Sequence, residues 1–200
     1  MNLDSTILLW INGHCSEWAD VLMWHVSGAK TWLPLYVLLV GAVIYRFPNW
    51  KTVLLILAGF GIAVWLSDWT CSGLLKPLVC RLRPTHDPAI DPLHLVRGYA
   101  GGLYGFCSSH AANTMACGLL FSLLYKNKYA TAALMAWVAL NCYSRMYLGV
   151  HYPTDILAGL AIGALYAWLI YRLLCYLDGV LSLSSHSLRE EGGAARQGGS

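Results

Sequence analysis

The chain has 200 residues, 58% of them hydrophobic and only 12% charged, with nine Trp, twelve Tyr and a mean hydropathy of +0.53. Soluble domains carry about 25% charged residues, so this balance excludes disorder, a coiled coil and a nucleic-acid module and makes a membrane protein the leading class. The net charge of +3, from 13 basic and 10 acidic side chains, is too weak to mark an anionic polymer as partner.

The first 28 residues hold two apolar stretches, 6–11 and 18–26, interrupted by Asn12, Gly13, His14, Glu17, Asp20 and His25. They read either as a full span or as an interfacial or re-entrant helix pair. No basic region followed by an apolar run and a small-residue cleavage site precedes them, so no cleaved signal peptide is expected. Further on, residues 31–45, 52–67, 98–125, 129–144 and 156–171 contain no Asp, Glu, Lys or Arg. A span needs about 20 apolar residues, and flanking Lys and Arg extend a short one by reaching the interface. The pattern predicts spanning helices near 30–46, 51–72, 109–126, 129–146 and 153–177. The fold class is therefore all-α, a polytopic membrane bundle of five or six transmembrane helices within residues 1–181. Residues 182–200, rich in Ser, Gly, Glu and Arg, read as a flexible tail. The seven cysteines are scattered without a C-x-x-C pair and read as small apolar core residues, with no disulfide or metal framework legible.

Basic residues in short loops set orientation. The 46–51 and 126–128 turns and the C-terminal end (Arg172, Arg189, Arg196) share one side, which the rule makes cytoplasmic. Yet the opposite side, residues 73–108 and 146–153, is also basic, with Lys76, Arg81, Arg83, Arg97 and Arg145. Cations on the wrong side need a reason other than topology.

Three motifs supply one. Lys76, Arg83 and Pro84 end the second firmly predicted span. Cys107-Ser108-Ser109-His110 opens the next. Ser144-Arg145, His151 and Asp155 lie at the turn between the last two. Up–down threading brings all three to one membrane face. Lys76, Arg83 and Arg145 are cations enough for a phosphate dianion, and Ser108 and Ser109 precede a helix start, where free N–H groups favour an anion. His110 and His151 allow one nucleophile and one acid, and Asp155, in the first turn after Pro153, is placed to hold the His151 ring.

This constellation resembles the type 2 phosphatidic acid phosphatase and haloperoxidase superfamily, whose pattern is K-x6-R-P, then P-S-G-H, then S-R-x5-H-x3-D. The first and third motifs match throughout. In the second, Cys107 replaces Pro and Ser109 replaces Gly. The resemblance covers residues 51 to 175. It implies that His151 attacks phosphorus to give a phosphohistidine, that Asp155 orients it, and that His110 protonates the leaving oxygen and then activates water. It also implies that Lys76, Arg83, Arg145, Ser108 and the Ser109 amide bind the phosphoryl oxygens, with no metal or other cofactor. The implied partner is a lipid phosphate within membrane lipids, with no obligatory protein partner.

Other polar residues carry weaker signals. Asp68 lies inside an apolar span, eight residues before Lys76, and reads with Ser144 as support for the cationic site. Arg81 reads as an interfacial anchor, His14 and His25 as structural or solvated, and the tryptophans as belt and core. The 84–107 loop, with His86, Asp87, Asp91, His94 and Arg97, reads as a head-group contact or a solvated loop.

The leading function is a bacterial inner-membrane lipid phosphatase, its site on the non-cytoplasmic side and its C-terminus cytoplasmic. Undecaprenyl diphosphate is the first-ranked substrate, then lipid A, then phosphatidylglycerophosphate or phosphatidate. A silent lipid-binding or lipid-flipping protein is disfavoured by the intact His110, His151 and Asp155. Haloperoxidase chemistry is disfavoured by spans that suit a buried lipid, and vanadate separates it from a phosphatase by activating one and inhibiting the other.

Overall fold

The computed structural model describes residues 3–90 and 92–181; Asp91 and the expected tail at 182–200 lie outside the described residues. The architecture is the expected all-α membrane bundle. Its helices are α1 (Leu3–Asn12), α2 (Glu17–Ser27), α3 (Leu33–Arg46), α4 (Trp50–Asp68), α5 (Lys76–Val79), α6 (Ser109–Tyr125), α7 (Lys128–Tyr147) and α8 (Pro153–Leu181). A π-helical turn, Trp69–Leu75, joins α4 to α5 without a break. The helix starts follow local chemistry. Asn49 accepts the Lys51 N–H at 2.9 Å, Asn127 accepts those of Tyr129 and Ala130, and α8 begins on Pro153.

Among the described residues, two helices are long and apolar enough to cross a membrane, Trp50–Val79 and Pro153–Val180; α2 and the stretch Ala29–Arg46, bent by 70°, pass the same test only together. The expected separate spans at 30–46, 109–126 and 129–146 thus fall short by length or hydropathy, and the reason is their place in the bundle. α6 packs against α4, α7 and α8 at once. A helix enclosed by others faces little lipid and need not be uniformly apolar. In α7 the polar residues Asn141, Ser144 and Arg145 are all buried against protein. The N-terminus forms two short helices: α1 and α2, of 10 and 11 residues, rise only about 15 Å each, half a hydrocarbon core, so neither crosses alone.

The central contact is α6 on α8. A Cβ on Gly159 would lie 2.4 Å from the Ser108 carbonyl oxygen, and one on Gly163 only 2.2 Å from that of Ala112. The pair Gly159-x-x-x-Gly163 lets the two backbones touch, as small residues do in membrane helix packing. That contact brings the start of α6 onto the start of α8, where the Ser108 N–H donates to the Asp155 carbonyl at 3.0 Å. Away from this end, Val43, Ile56, Leu120, Leu134 and Leu174 form the dry core.

Candidate active site

Motif one begins where the continuous α4–α5 helix ends. Cys80 takes a left-handed φ of 50° and the chain turns into an extended segment. There Leu82 pairs with Tyr104, through the Arg83 N–H to Leu103 (3.0 Å) and the Gly105 N–H to Arg81 (2.9 Å). The ladder pins the 84–107 loop beside the motif. Gly101, at φ +70°, lies against the Arg83 guanidinium, where a Cβ would approach Nη1 to 2.4 Å. Motif three follows from how α7 stops. Gly149, at φ +68°, sits past the helix end, with the Gly149 and Val150 amides donating back to Met146 and Arg145. His151 comes next, and Pro153 starts α8.

The structure brings the three motifs together. Lys76 Nζ donates to Ser109 Oγ at 3.0 Å and to Ser72 Oγ at 3.3 Å. Arg83 is buried, its Nε donating to the Tyr104 carbonyl at 3.1 Å. Arg145 is buried too, held by Ser27 Oγ and, at 3.5 Å, by the Tyr99 hydroxyl. Arg83 Nη1 and Arg145 Nε are buried without a hydrogen-bond partner. Burial and the neighbouring Arg145 push the Arg83 guanidinium below its ordinary range. Buried guanidinium N–H groups with no acceptor are costly by about 1–3 kcal/mol each, a cost an incoming anion removes.

His151 is 1% exposed. Burial first, then Arg145, Arg83 and Lys76, hold its imidazole well below the usual histidine range, so it is neutral at neutral pH, with a lone pair available. Its Nδ1 is 3.5 Å from Asp155 Oδ2, longer than a formed hydrogen bond, and has no other partner. Contacts of this kind tighten in the reacting complex. Asp155 is itself anchored: Oδ2 accepts the Tyr152 N–H at 3.0 Å and Oδ1 accepts Arg81 Nη1 at 2.9 Å.

His110 occupies the second position of α6, where two clefts meet. One, of about 240 Å³, is lined by Trp24, Ser27, Tyr99 and Arg145. The other, of about 590 Å³, runs between Trp32, Tyr36, Phe60 and Trp65. A cationic recess and an aromatic slot therefore share His110 and Ser27.

Three expected residues are placed differently: Ser108, read as a phosphate binder, and Ser144 and Asp68, read as support. Ser108 is fully buried; its amide serves Asp155 and its hydroxyl accepts the Ala111 N–H at 3.4 Å. It builds the start of α6 because that helix end has few other acceptors. Ser144 donates to the Asn141 carbonyl of its own helix at 2.7 Å, as a buried mid-helix serine does when no outside acceptor is near. Asp68 accepts from the Asn113 amide at 3.4 Å rather than bonding Lys76, because the seven π-helical residues between them change the helical phase on which the shared face was counted.

Arg81 was the residue missed. Besides Asp155 it binds Asp4 and Thr154 Oγ1, at 2.5 and 2.6 Å, and its guanidinium lies 4.1 Å from the centre of the Tyr152 ring. The available signal was its spacing: in an extended segment Arg81 and Arg83 share one side. Tyr99 and Ser27, which hold Arg145, carry no sequence signal of their own.

The sequence pattern of the PAP2 superfamily matches residues 52–177. The chain belongs to the PAP2 superfamily. Among its relatives, this PAP2 protein is 34% identical over 172 residues to the lipid A 4'-phosphatase of Bacteroides thetaiotaomicron, covering 85% of this chain and 76% of that one. Its fold is similar to two crystal structures. For Aquifex aeolicus LpxE the TM-score is 0.67 at 19% identity, over 86% of this chain and 96% of the other. For a transmembrane PAP2-type phosphatidylglycerolphosphate phosphatase of Bacillus subtilis it is 0.62 at 23% identity, over 85% and 83%. This PAP2 protein is a membrane lipid phosphatase.

Proposed function

We propose that this PAP2 phosphatase hydrolyses a phosphomonoester of lipid A through a phosphohistidine on His151. One observation carries the chemistry: a buried neutral imidazole, backed by Asp155, lies within the field of Lys76, Arg83 and Arg145, two of which hold unpaired N–H groups. Lys76, Arg83, Arg145 and Ser109 bind the phosphoryl oxygens and stabilise the charge that spreads over them in the transition state. His151 Nε2 attacks phosphorus in line with the departing oxygen, and His110 gives that oxygen its proton. His110 then takes a proton from water, which attacks phosphorus and releases inorganic phosphate and free His151. Asp155, facing His151 Nδ1, stabilises the positive charge on the phosphorylated imidazole. The lipid lies along the aromatic slot that meets the cationic recess at His110.

The relative's name supports lipid A over undecaprenyl diphosphate, which the motifs alone ranked first. The site faces the non-cytoplasmic side and the C-terminus the cytoplasm, a reading supported by the basic 46–51 and 126–128 turns. A thiol probe on Ala89→Cys is expected to be labelled from that side; labelling only after permeabilisation inverts the orientation.

The decisive experiment measures phosphate release by detergent-purified protein from lipid A, undecaprenyl diphosphate, undecaprenyl phosphate, phosphatidylglycerophosphate and phosphatidate. The expected order puts lipid A first. His151→Ala is expected to lose about 10⁴-fold or more in turnover while remaining folded. Wild-type release by that variant removes His151 as nucleophile, and a preference for undecaprenyl diphosphate removes the lipid A reading alone.

A further inference from the structure

A second cluster of reactive side chains lies outside the phosphate site, at the turn between α1 and α2. One ligand atom each from Cys15, Asp20 and His94 falls within 4.8 Å of the other two. His94 Nε2 is 2.7 Å from Asp20 Oδ2, and the group lines an open cleft of about 550 Å³ with Glu17 beside it. The residues are 5 and 74 positions apart in the chain, so only the fold assembles them.

Asp20 and His94 are oriented by buried partners. The buried Tyr147 hydroxyl donates to the other oxygen of Asp20 at 2.7 Å, leaving Oδ2 turned to the cluster. The buried Asn12 side chain clamps the His94 backbone from both sides, accepting its N–H at 2.8 Å and donating to its carbonyl at 3.0 Å, and also donates to the Tyr147 carbonyl at 2.9 Å. Cys15 donates its S–H to the Asn12 carbonyl at 3.0 Å, a bond given up when the thiol is deprotonated by a metal. A carboxylate with its second oxygen hydrogen-bonded and a histidine fixed through its backbone are the outer contacts that orient metal ligands.

We propose that Cys15, Asp20 and His94 form a zinc site. One thiolate, one imidazole and one carboxylate suit a borderline-soft, four-coordinate ion, and the thiolate disfavours Mg²⁺ and Ca²⁺. The open side of the cleft leaves the fourth position to water or to Glu17. On binding, the Cys15 thiol releases its proton to solvent, and the proton between His94 Nε2 and Asp20 gives way to the ion. The metal is structural. It ties the α1–α2 turn to the 84–107 loop, whose Tyr99 and Gly101 touch Arg145 and Arg83.

The test uses tag-free, full-length protein in detergent, dialysed against Zn²⁺ in the presence of excess Mg²⁺, and in parallel against Co²⁺. The expected result is about one Zn²⁺ per chain and a thiolate-to-cobalt charge-transfer band. Cys15→Ser is expected to lose the band, His94→Gln to lose stoichiometric binding, and Tyr147→Phe to weaken affinity by about 10–100-fold. Cys80→Ser, which alters the exposed thiol elsewhere, is expected to change nothing. Circular dichroism of each variant establishes that it is folded. The proposal is overturned by sub-stoichiometric binding to the wild type, by a band that survives in Cys15→Ser, or by binding lost in His110→Ala but kept in His94→Gln, which moves the metal to the phosphate site.

Discussion

Two arginines separated by one residue meet opposite environments. Arg81 is surrounded by acceptors: Asp4, Asp155 and Thr154, with the Tyr152 ring beneath it. Arg83 is buried beside Arg145, keeps an N–H without an acceptor and has no carboxylate bonded to it among the described residues. The first cation is compensated within the protein and joins α1 to α8. The second is held charged against its surroundings. A fold that buries uncompensated charge destabilises itself, and the stabilisation returns when an anion enters. The distribution of unmet N–H groups, more than the number of cations, therefore separates the candidate site from its scaffold.

The sharpest test substitutes the uncompensated pair. Arg83→Gln and Arg145→Gln are each expected to lower kcat/KM by about 10²–10³-fold, as loss of one charge-stabilising donor does. Their thermal stability is expected to match or exceed the wild type, because each change relieves repulsion between buried cations. A clear loss of melting temperature in both erases the distinction. Arg81→Gln is expected to behave in the opposite sense. It costs about 1–3 kcal/mol of stability, less than a fully buried pair because the side chain is partly exposed, and it slows turnover by about tenfold through Asp155. Arg81→Lys is not expected to restore either quantity, since an ammonium cannot reach three acceptors in a planar fork and stack on Tyr152. Full rescue by lysine reduces the Arg81 network to a point charge.

The smallest effect concerns pH. The folded protein holds His151 well below its unfolded value, so just below pH 6.5 the unfolded chain binds a proton that the folded chain rejects. Stability then falls as pH falls through that window, with a slope of up to about 1.4 kcal/mol per unit, and is flat above it. Melting curves of the wild type against His151→Gln are expected to diverge below pH 6.5 and run parallel above it. Curves parallel throughout mean that the imidazole is not depressed.

Much of this site is legible as local text. Lys76, Arg83, His110, Arg145, His151 and Asp155 stand at spacings that only shared chemistry explains, and the apolar windows between them define a helical membrane chain. Other features depended on phase and approach. Counting Asp68 and Lys76 on one face assumed a uniform helix, and the π-helical turn between them altered the count. Ser108 and Ser144 read as site residues by position, yet each is consumed by backbone.

The sequence by itself determined the class of chemistry, because motif spacing along a helix or turn is a local property that the backbone geometry transmits directly. It also determined the membrane setting, because hydropathy is summed residue by residue. Only the tertiary structure decided which cations stay unpaired, how Gly159 and Gly163 seat α6 on α8, and that Cys15, Asp20 and His94 converge. Those facts depend on distances between residues far apart in the chain, and such distances are set by packing, which no single stretch of sequence contains.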